Sequence, residues 1–213
     1  MVWALFISAV LGYLIGSVNT SIVLSKLKKN DIRQHGSGNA GATNTLRVMG
    51  KTAAAFVLLG DALKAVVSIL LAWLVAYLFR QGPDIVAYCK YIAALTTVLG
   101  HNFPVFFGFR GGKGILTSVA VMFMLDWRIA LIVLFVGVML IVLTRYVSLG
   151  SLAGCALYPL FTLAFYSSEP LLYKKMQIVL ALLLGLLGIW RHKSNIKKLL
   201  AGTESKIGEK AKQ

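Results

Sequence analysis

A short polar segment near the amino terminus holds the residue types best suited to chemistry. It runs Gly36-Ser-Gly-Asn-Ala-Gly-Ala-Thr-Asn-Thr-Leu-Arg47 between two strongly apolar segments, and we call it the first loop. Backbone N–H groups freed by glycines, together with hydroxyls and a guanidinium, are groups that bind phosphate. Irregular polar backbone at membrane depth survives only beside protein or water, so an anion site at a membrane face is expected. Its candidate ligands are Ser37, Gly38, Asn39, Thr43, Asn44 and Arg47.

Two other interpretations of the first loop were weighed. Residues Gly36 to Gly41 match the pattern G-x-G-x-x-G, but a dinucleotide fold needs a preceding strand and a soluble β-α-β unit. The flanking segments predict apolar helices, so a Rossmann fold is rejected. A tight turn with helix caps would explain Ser, Thr and Asn. It would not explain Arg47 or the length of the polar run.

A second polar segment, Gly100–Gly114, ends in Arg110-Gly-Gly-Lys-Gly directly before an apolar helix, and we call it the second loop. Glycines, a lysine and a helix N-terminus are the parts with which a P-loop binds phosphate. The Walker A spacing is absent, because Phe107 replaces its first glycine and Gly114 its magnesium-binding Ser or Thr. The alternative is a lysine that only extends to the membrane interface. The prediction is phosphate binding, without a nucleotide, by Gly111, Gly112, Lys113 and Gly114.

Charged residues inside the apolar segments are few, and two of them share a helix face. Asp61 and Lys64 are three residues apart in the second apolar segment. Charges within a membrane span are costly and are usually paired or functional. The spacing fits a pair that orients the site without touching substrate, and it fits a purely structural ion pair equally well.

A polar corner at residues 145–151 follows later in the chain. Ser148 or Ser151 is suited to capping the next helix, which is one interpretation of the corner. The other is a hydroxyl directed at a substrate phosphate, for which Ser151 is the better candidate.

The last apolar segment ends in a further group of polar residues. His192 and Asn195 are three residues apart and share a helix face, which favours a role with substrate over interfacial capping. Glu204 is the acid nearest to them in sequence. We expect it to pair with Arg or Lys and to hold the loops in place, with a general base as the alternative.

Composition predicts an integral membrane protein. The chain has 213 residues, 58% of them hydrophobic, and its mean hydropathy is +0.80. Its net charge of +15 comes from Lys and Arg clustered at segment ends, which favours anionic lipid headgroups and a phosphorylated substrate over nucleic acid. We expect one helical domain over residues 1–213. The N-terminal apolar run lacks a basic start and a cleavage site, so a retained helix is expected.

The predicted fold is all-α with seven transmembrane helices. We place the N-terminus outside and the C-terminus inside. The connections that are then inside hold sixteen Lys and Arg, and the connections outside hold four. This difference is a strong positive-inside bias. This orientation puts all four polar segments on the cytoplasmic side, where they would form one site. A model of five spans with two re-entrant pieces stays open. The predicted spans are 2–24, 53–79, 85–99, 115–125, 129–144, 152–167 and 176–190.

The chain offers few groups for conventional acid–base or metal chemistry. The sequence has no Ser-His-Asp arrangement, no His-x4-Asp motif and no metal-ligand spacing. Cys89 and Cys155 lie in apolar segments, and we predict packed thiols. No metal and no cofactor is expected. Many cations with few bases suit the binding of two phosphorylated groups better than general-base chemistry.

Taken in order, these motifs resemble the bacterial membrane glycerol-3-phosphate acyltransferases that use acyl phosphate, the PlsY family. The resemblance covers the first loop with Asp61 and Lys64, the second loop, the corner at 145–151 and the segment from Arg191 to Glu204. One small departure from the family pattern is present. Ala65 follows Lys64 where the family often has glycine, and Arg110 stands for lysine with the charge kept.

The resemblance implies transfer of a fatty acyl group from acyl phosphate to the sn-1 hydroxyl of glycerol 3-phosphate. The products are 1-acylglycerol 3-phosphate and phosphate, in the first step of phospholipid synthesis at the cytoplasmic side of the inner membrane. It implies an upstream enzyme that forms acyl phosphate, and membrane lipids as surroundings. It also implies catalytic roles for Ser37, Arg47, Lys113, His192 and Asn195, and glycerol 3-phosphate binding by the glycines of the second loop.

Acyl phosphate is already activated, so the protein must align two anions and stabilise the developing oxyanion. With few bases present, we hypothesise that a substrate phosphate oxygen accepts the hydroxyl proton. Two rival functions were weighed. An organic-phosphate transporter usually has internal repeats and a site near the midplane, and no repeat is evident here. A scaffold that binds anionic lipid through its basic tail would leave Arg-Gly-Gly-Lys-Gly unexplained.

Overall fold

The protein is described here by a computed structural model that covers residues 1–166 and 171–209. Every regular element within these ranges is helical, which confirms the all-α prediction. Short 3-10 turns lie at Ile32–Gln34, before the first loop, and at Val105–Phe107, within the second loop. The α-helices are α1 Val2–Ser17, α2 Thr20–Leu27, α3 Ala42–Leu78, α4 Pro83–Asn102, α5 Ile115–Leu125, α6 Trp127–Thr144, α7 Val147–Phe165, α8 Leu171–Arg191 and α9 Lys193–Leu200.

Five helical stretches in the described part are long and apolar enough to cross a membrane. They are Val2–Leu27, Ala42–Leu78, Trp127–Thr144, Val147–Phe165 and Leu172–Arg191. The other two predicted spans correspond to α4, which carries Asp84 and Lys90, and to α5, which has only 11 residues. Large apolar side chains such as Trp73 and Phe135 are exposed on the helix surfaces, as lipid-facing residues are.

The first apolar run is not one continuous helix, as the prediction of a span over 2–24 assumed. Val18 is extended, with φ −73° and ψ 94°, and ends α1. Asn19 then caps α2, because its side-chain oxygen accepts a hydrogen bond from the Ile22 amide. The break lies in the run Ser17-Val-Asn-Thr-Ser21, where only Val18 is apolar, so a local helix cap and the contact of Asn19 with Ala40 both contribute to it.

Helix α3 is longer than predicted and includes half of the first loop. It begins at Ala42 rather than near residue 53, so Thr43, Asn44 and Arg47 lie on its first two turns and not in irregular backbone. Gly50 interrupts the helix with φ 84° and ψ −177°, a conformation that glycine adopts without strain. The prediction of loop structure throughout residues 36–47 is therefore wrong beyond Gly41.

The chain packs as two compact units, Met1–Val121 and Met122–Glu209. In the first unit α1 and α3 both pack against α4, and α2 packs against α3. Helices α1 and α4 approach closely at glycines: a Cβ on Gly16 would overlap the Thr97 carbonyl, and one on Gly100 would overlap the Tyr13 carbonyl. Small residues permit this backbone contact, which is how helices associate tightly in lipid.

In the second unit α7 packs between α6 and α8. Asp126 caps α6 by accepting a hydrogen bond from the Arg128 amide. A Cβ on Gly150 would overlap the Gly137 carbonyl, so glycines again mark the close contact between α6 and α7. Cys89 in the first unit and Cys155 in the second are buried free thiols, as predicted. The predicted end of the sixth span at Ser167 lies outside the described residues.

Candidate active site

The first loop is organised by Asn44, which lies buried on the first turn of α3. Its amide nitrogen donates to the carbonyls of Ile32 and His35 at 3.2 and 2.9 Å, and its oxygen accepts from the Ser37 amide at 2.9 Å. A Cβ on Gly36, where φ is +59°, would overlap this oxygen. The Asn44 amide thus shapes the loop, and its predicted contact with substrate stays a prediction.

The other first-loop candidates occupy two kinds of position. Ser37 and Gly38 are exposed at the tip of the loop, and Asn39 is half-buried beside them. Thr43 and Arg47 are half-buried on α3, four residues apart, and therefore share a helix face. The start of α3 adds the positive end of a helix dipole to this group, which favours an anion.

The second loop closes back on the end of α4. The amides of Gly111 and Gly112 donate to the carbonyls of Asn102 and His101, at 3.2 and 3.1 Å. A Cβ on Gly111 would overlap the His101 carbonyl. These two glycines are therefore needed for close packing of the loop, a role that the P-loop comparison did not reveal. Lys113 and Gly114 follow directly before α5, at the positive end of that helix.

The first and second loops lie against each other in the first unit. A Cβ on Gly112 would overlap both the Ala40 carbonyl and Nε2 of His101. The side chain of Asn19, at the helix break, also donates to the Ala40 carbonyl, at 3.4 Å. The helix break, the first loop and the second loop therefore share one small volume, as the prediction of converging polar segments requires for these two.

Beneath the loops, Lys64 joins three helical segments. Its ammonium nitrogen lies 2.8 Å from Oδ1 of Asp61, 3.3 Å from the Val18 carbonyl and 2.7 Å from Nδ1 of His101. An ammonium has three protons, and these three acceptors use all of them. Nδ1 of His101 accepts from Lys64 when the ring is neutral with its proton on Nε2, and it faces Asp61 as a donor when the ring is protonated.

His101 is the site residue that sequence reasoning missed. Only 3% of it is exposed, and Nδ1 lies 3.6 Å from Oδ1 of Asp61. It is 37 positions from Lys64, so no local spacing connects the two. One indication was available: a histidine at the start of the second loop, after an apolar run that holds no acid beyond Asp84.

In the second unit the corner at 145–151 contacts the C-terminal segment. Oγ of Ser148 donates to Oε1 of Glu204 at 2.8 Å, and the Ile207 amide donates to the Arg145 carbonyl at 2.8 Å. Ser151 donates to the Val147 carbonyl one turn earlier in α7. Neither serine caps α7, whose N-cap residue is Tyr146, so the capping interpretation is wrong. The contact of Ser151 with substrate stays a prediction.

Glu204 is held by neutral groups rather than by the expected Arg or Lys. Besides Ser148, it accepts a hydrogen bond from the Asn195 side chain at 2.7 Å. Its Arg or Lys partner was predicted from the excess of basic residues nearby, and the ion pairs found in the described part of the chain do not include it. The pairing prediction is wrong, whereas the idea that Glu204 holds segments in place agrees with these contacts.

His192 lies between α8 and α9, with only 2% of it exposed. Its Nδ1 is 2.8 Å from the Gly188 carbonyl. A carbonyl can only accept, so Nδ1 carries a proton and the ring is oriented by the last turn of α8. His192 is the N-cap residue of α9 and Asn195 lies on the first turn of that helix, and their predicted common role with substrate stays a prediction. No cluster of metal-binding side chains is found among the residues that the structure describes.

The network around Lys64 predicts unequal effects of removing its two charges. We expect Asp61→Asn to destabilise the protein more than Lys64→Met. The first leaves an ammonium buried without an anion, at a cost of about 3–5 kcal/mol. The second leaves Asp61 beside His101, which can take up a proton and balance the charge.

Thermal unfolding of the purified protein in detergent measures both losses. Ser68→Ala, which removes a buried hydroxyl one turn along α3, is the control for a polar deletion on the same face. A loss for Lys64→Met as large as that for Asp61→Asn would contradict the role given to His101.

Comparison with known proteins identifies a family for this chain. A family model described as glycerol-3-phosphate acyltransferase matches residues 6–202. The glycerol-3-phosphate acyltransferases of Thermoanaerobacter pseudethanolicus and Shouchella clausii are each 46% identical to this chain, and the alignments cover 96% and 99% of both partners.

Solved structures give the same family. The chain is similar to crystal structures of PlsY (YgiH), an integral membrane glycerol 3-phosphate acyltransferase. For the glycerol 3-phosphate form the identity is 37% and the TM-score 0.79, and for the lysophosphatidic acid form they are 35% and 0.78. Each comparison covers 97% of this chain and 96% of the other. Because both the sequence match and the structural match extend over nearly the whole length, this chain belongs to the glycerol-3-phosphate acyltransferase family and is a membrane acyltransferase.

Proposed function

We propose that the protein transfers a fatty acyl group from acyl phosphate to the sn-1 hydroxyl of glycerol 3-phosphate. The products are 1-acylglycerol 3-phosphate and inorganic phosphate. The observation that carries this proposal is the packing of two glycine-rich loops, with Arg47 and Lys113, over the buried network of Lys64. Such a group is rich in cations and poor in bases, which suits a donor that is already activated.

Each candidate residue has a proposed role. Ser37, Arg47 and Lys113 bind the phosphates and stabilise the negative charge that develops as the hydroxyl attacks the acyl carbon. Asp61 and Lys64 hold the second loop through His101. We propose that the second unit serves the same reaction, with His192 and Asn195 in catalysis, and that residues 1–213 work as one domain. The remaining proposed substrate ligands are Gly38, Asn39, Thr43, Asn44, Gly111, Gly112, Gly114 and Ser151.

The proposed surroundings follow from the substrates. The protein starts phospholipid synthesis in the bacterial inner membrane, downstream of an enzyme that forms acyl phosphate. We propose seven membrane crossings, with the N-terminus outside and the C-terminus inside. The excess of Lys and Arg in the connections assigned to the cytoplasm supports this orientation.

The donor is tested with purified protein, glycerol 3-phosphate and either palmitoyl phosphate or palmitoyl-CoA. We expect lysophosphatidate, acylated at sn-1, with palmitoyl phosphate only. Lys113→Gln, purified in the same way, is the control against a contaminating enzyme. Product formed from palmitoyl-CoA would contradict the proposed donor, and no product with either donor would contradict the proposed reaction.

The proton acceptor is tested at Glu204 and His192. If a substrate phosphate accepts the proton, Glu204→Gln should keep turnover within about tenfold, since a glutamine oxygen still accepts from Ser148 and Asn195. A general base contributes about 10²–10⁴ in rate. The control is Glu209→Gln, a charge removal on the same exposed tail. If His192→Ala and Glu204→Gln each abolish turnover while both substrates still bind, a protein base is the better mechanism.

The number of crossings is tested by cysteine labelling in intact cells. Seven spans place the second loop inside, whereas five spans, without α4 and α5, place it outside. Phe106 in this loop is 55% exposed, so we expect Phe106→Cys to react with an impermeant maleimide only after permeabilisation. Gly82→Cys, before α4, should react from outside in both models. The parent chain, whose two cysteines are buried, gives the background. Labelling of Phe106→Cys in intact cells would contradict seven spans.

A further inference from the structure

A salt bridge outside the predicted site connects the segment before the first loop to the second loop. Asp31 and Arg33 lie between α2 and α3, before the predicted phosphate-binding residues. The Nε and Nη2 groups of Arg33 donate to the Asp31 carboxylate at 3.0 and 2.7 Å, which is a bidentate arrangement. Both side chains are mostly buried, with 23% and 22% exposed.

The Nη1 group of Arg33, which does not bind Asp31, reaches the second loop. Its Nη1 donates to the Phe107 carbonyl at 2.8 Å and to the Arg110 carbonyl at 3.2 Å. These carbonyls lie more than 70 positions later in the chain. Phe107 itself packs against the buried cluster of Ile22, Ile32 and Ala40, so the contact joins segments that are already close.

The two carbonyls flank a strained turn. Gly108 and Phe109, between them, are both left-handed, with φ +66° and +58°. This conformation is uncommon for a phenylalanine and costs free energy. By binding the carbonyl on each side, one guanidinium holds the turn closed immediately before Arg110-Gly-Gly-Lys113.

The Asp31 carboxylate keeps this guanidinium in place. The hydrogen bond from Arg33 lowers the pKa of Asp31 from 3.8 to about 2, against an opposing effect of burial, and Lys26 adds a smaller attraction. Asp31 is therefore ionised at any physiological pH. A lysine could supply the charge at position 33, but not the planar fork that binds a carboxylate and two carbonyls together.

We propose that Arg33, held by Asp31, is a positioning residue of the acyltransferase: it fixes the turn at Gly108–Phe109 and thereby sets Lys113 where it binds substrate phosphate. Neither Asp31 nor Arg33 needs to touch substrate in this role. The inference rests on the proposed function for the assignment of the second loop to glycerol 3-phosphate.

Equilibrium binding of glycerol 3-phosphate to the purified protein tests the inference without any acyl donor. When only a fraction of the protein has the loop in its binding-competent form, the apparent Kd equals the intrinsic Kd divided by that fraction. We expect Arg33→Lys to raise the Kd by about ten- to a hundredfold, since two hydrogen bonds to a charged group are lost. Lys28→Gln removes an exposed charge from the same connection between α2 and α3. It should leave the Kd unchanged.

Two further variants separate positioning from general stability. If Asp31 acts only through Arg33, Asp31→Asn should weaken binding, and Asp31→Asn with Arg33→Gln should be no worse than Arg33→Gln alone. Asparagine adopts the left-handed conformation more readily than phenylalanine. Phe109→Asn should therefore restore part of the binding that Arg33→Lys loses. Hydrogen exchange should increase at residues 107–113 and stay unchanged in α1 and α4.

The outcomes are distinct. An unchanged Kd in Arg33→Lys, or faster exchange throughout the first unit without rescue by Phe109→Asn, overturns the positioning role. Lys113→Gln tests separately whether the second loop binds glycerol 3-phosphate. If Lys113→Gln weakens binding and Arg33→Lys does not, the inference alone fails. If Lys113→Gln binds glycerol 3-phosphate normally, the assignment of this loop to glycerol 3-phosphate fails instead.

Discussion

The arrangement of the first unit depends on one buried ammonium group. Lys64 donates to Asp61 on its own helix, to the Val18 carbonyl and to His101. The Val18 carbonyl is available because α1 ends there, and His101 begins the second loop. In a low-dielectric interior an unpaired charge or carbonyl is very costly, so the helix break, the charged pair and the histidine are stable only together.

Above this network, close backbone contact replaces side-chain packing. The second loop touches His101 and the first loop through glycines that leave no room for a Cβ. Asn44, on the first turn of α3, stabilises the first loop and the residues before it through three hydrogen bonds. Loops held in this way are preorganised before substrate arrives, and electrostatic stabilisation of a developing oxyanion depends on that preorganisation.

Local patterns in the sequence predicted some of this structure and tertiary contacts decided the rest. Asp61 and Lys64 were predicted to share a helix face because three-residue spacing is a property of one helix. The break at Val18 was missed because the polar run at residues 17–21 is short and lies inside a long apolar segment, although Asn19 is a residue type that caps helices. Asn44 was predicted as a substrate ligand from its residue type, since composition cannot distinguish an amide that binds phosphate from one that folds the loop. The link from Lys64 to His101 has no local pattern at all.

The interruption of α3 at Gly50 has a consequence for depth in the membrane. An uninterrupted helix of 37 residues would measure about 55 Å, nearly twice the roughly 30 Å of bilayer hydrocarbon. In a straight α3, Thr43 would lie about 10 Å and Arg47 about 5 Å beyond Gly50 along the helix axis. A fatty acyl substrate cannot follow its headgroup that far, because each buried CH₂ withdrawn from the hydrocarbon costs about 0.8 kcal/mol. The interruption at Gly50 therefore removes one obstacle to the phosphate-binding role proposed for this turn at the level of the lipid headgroups.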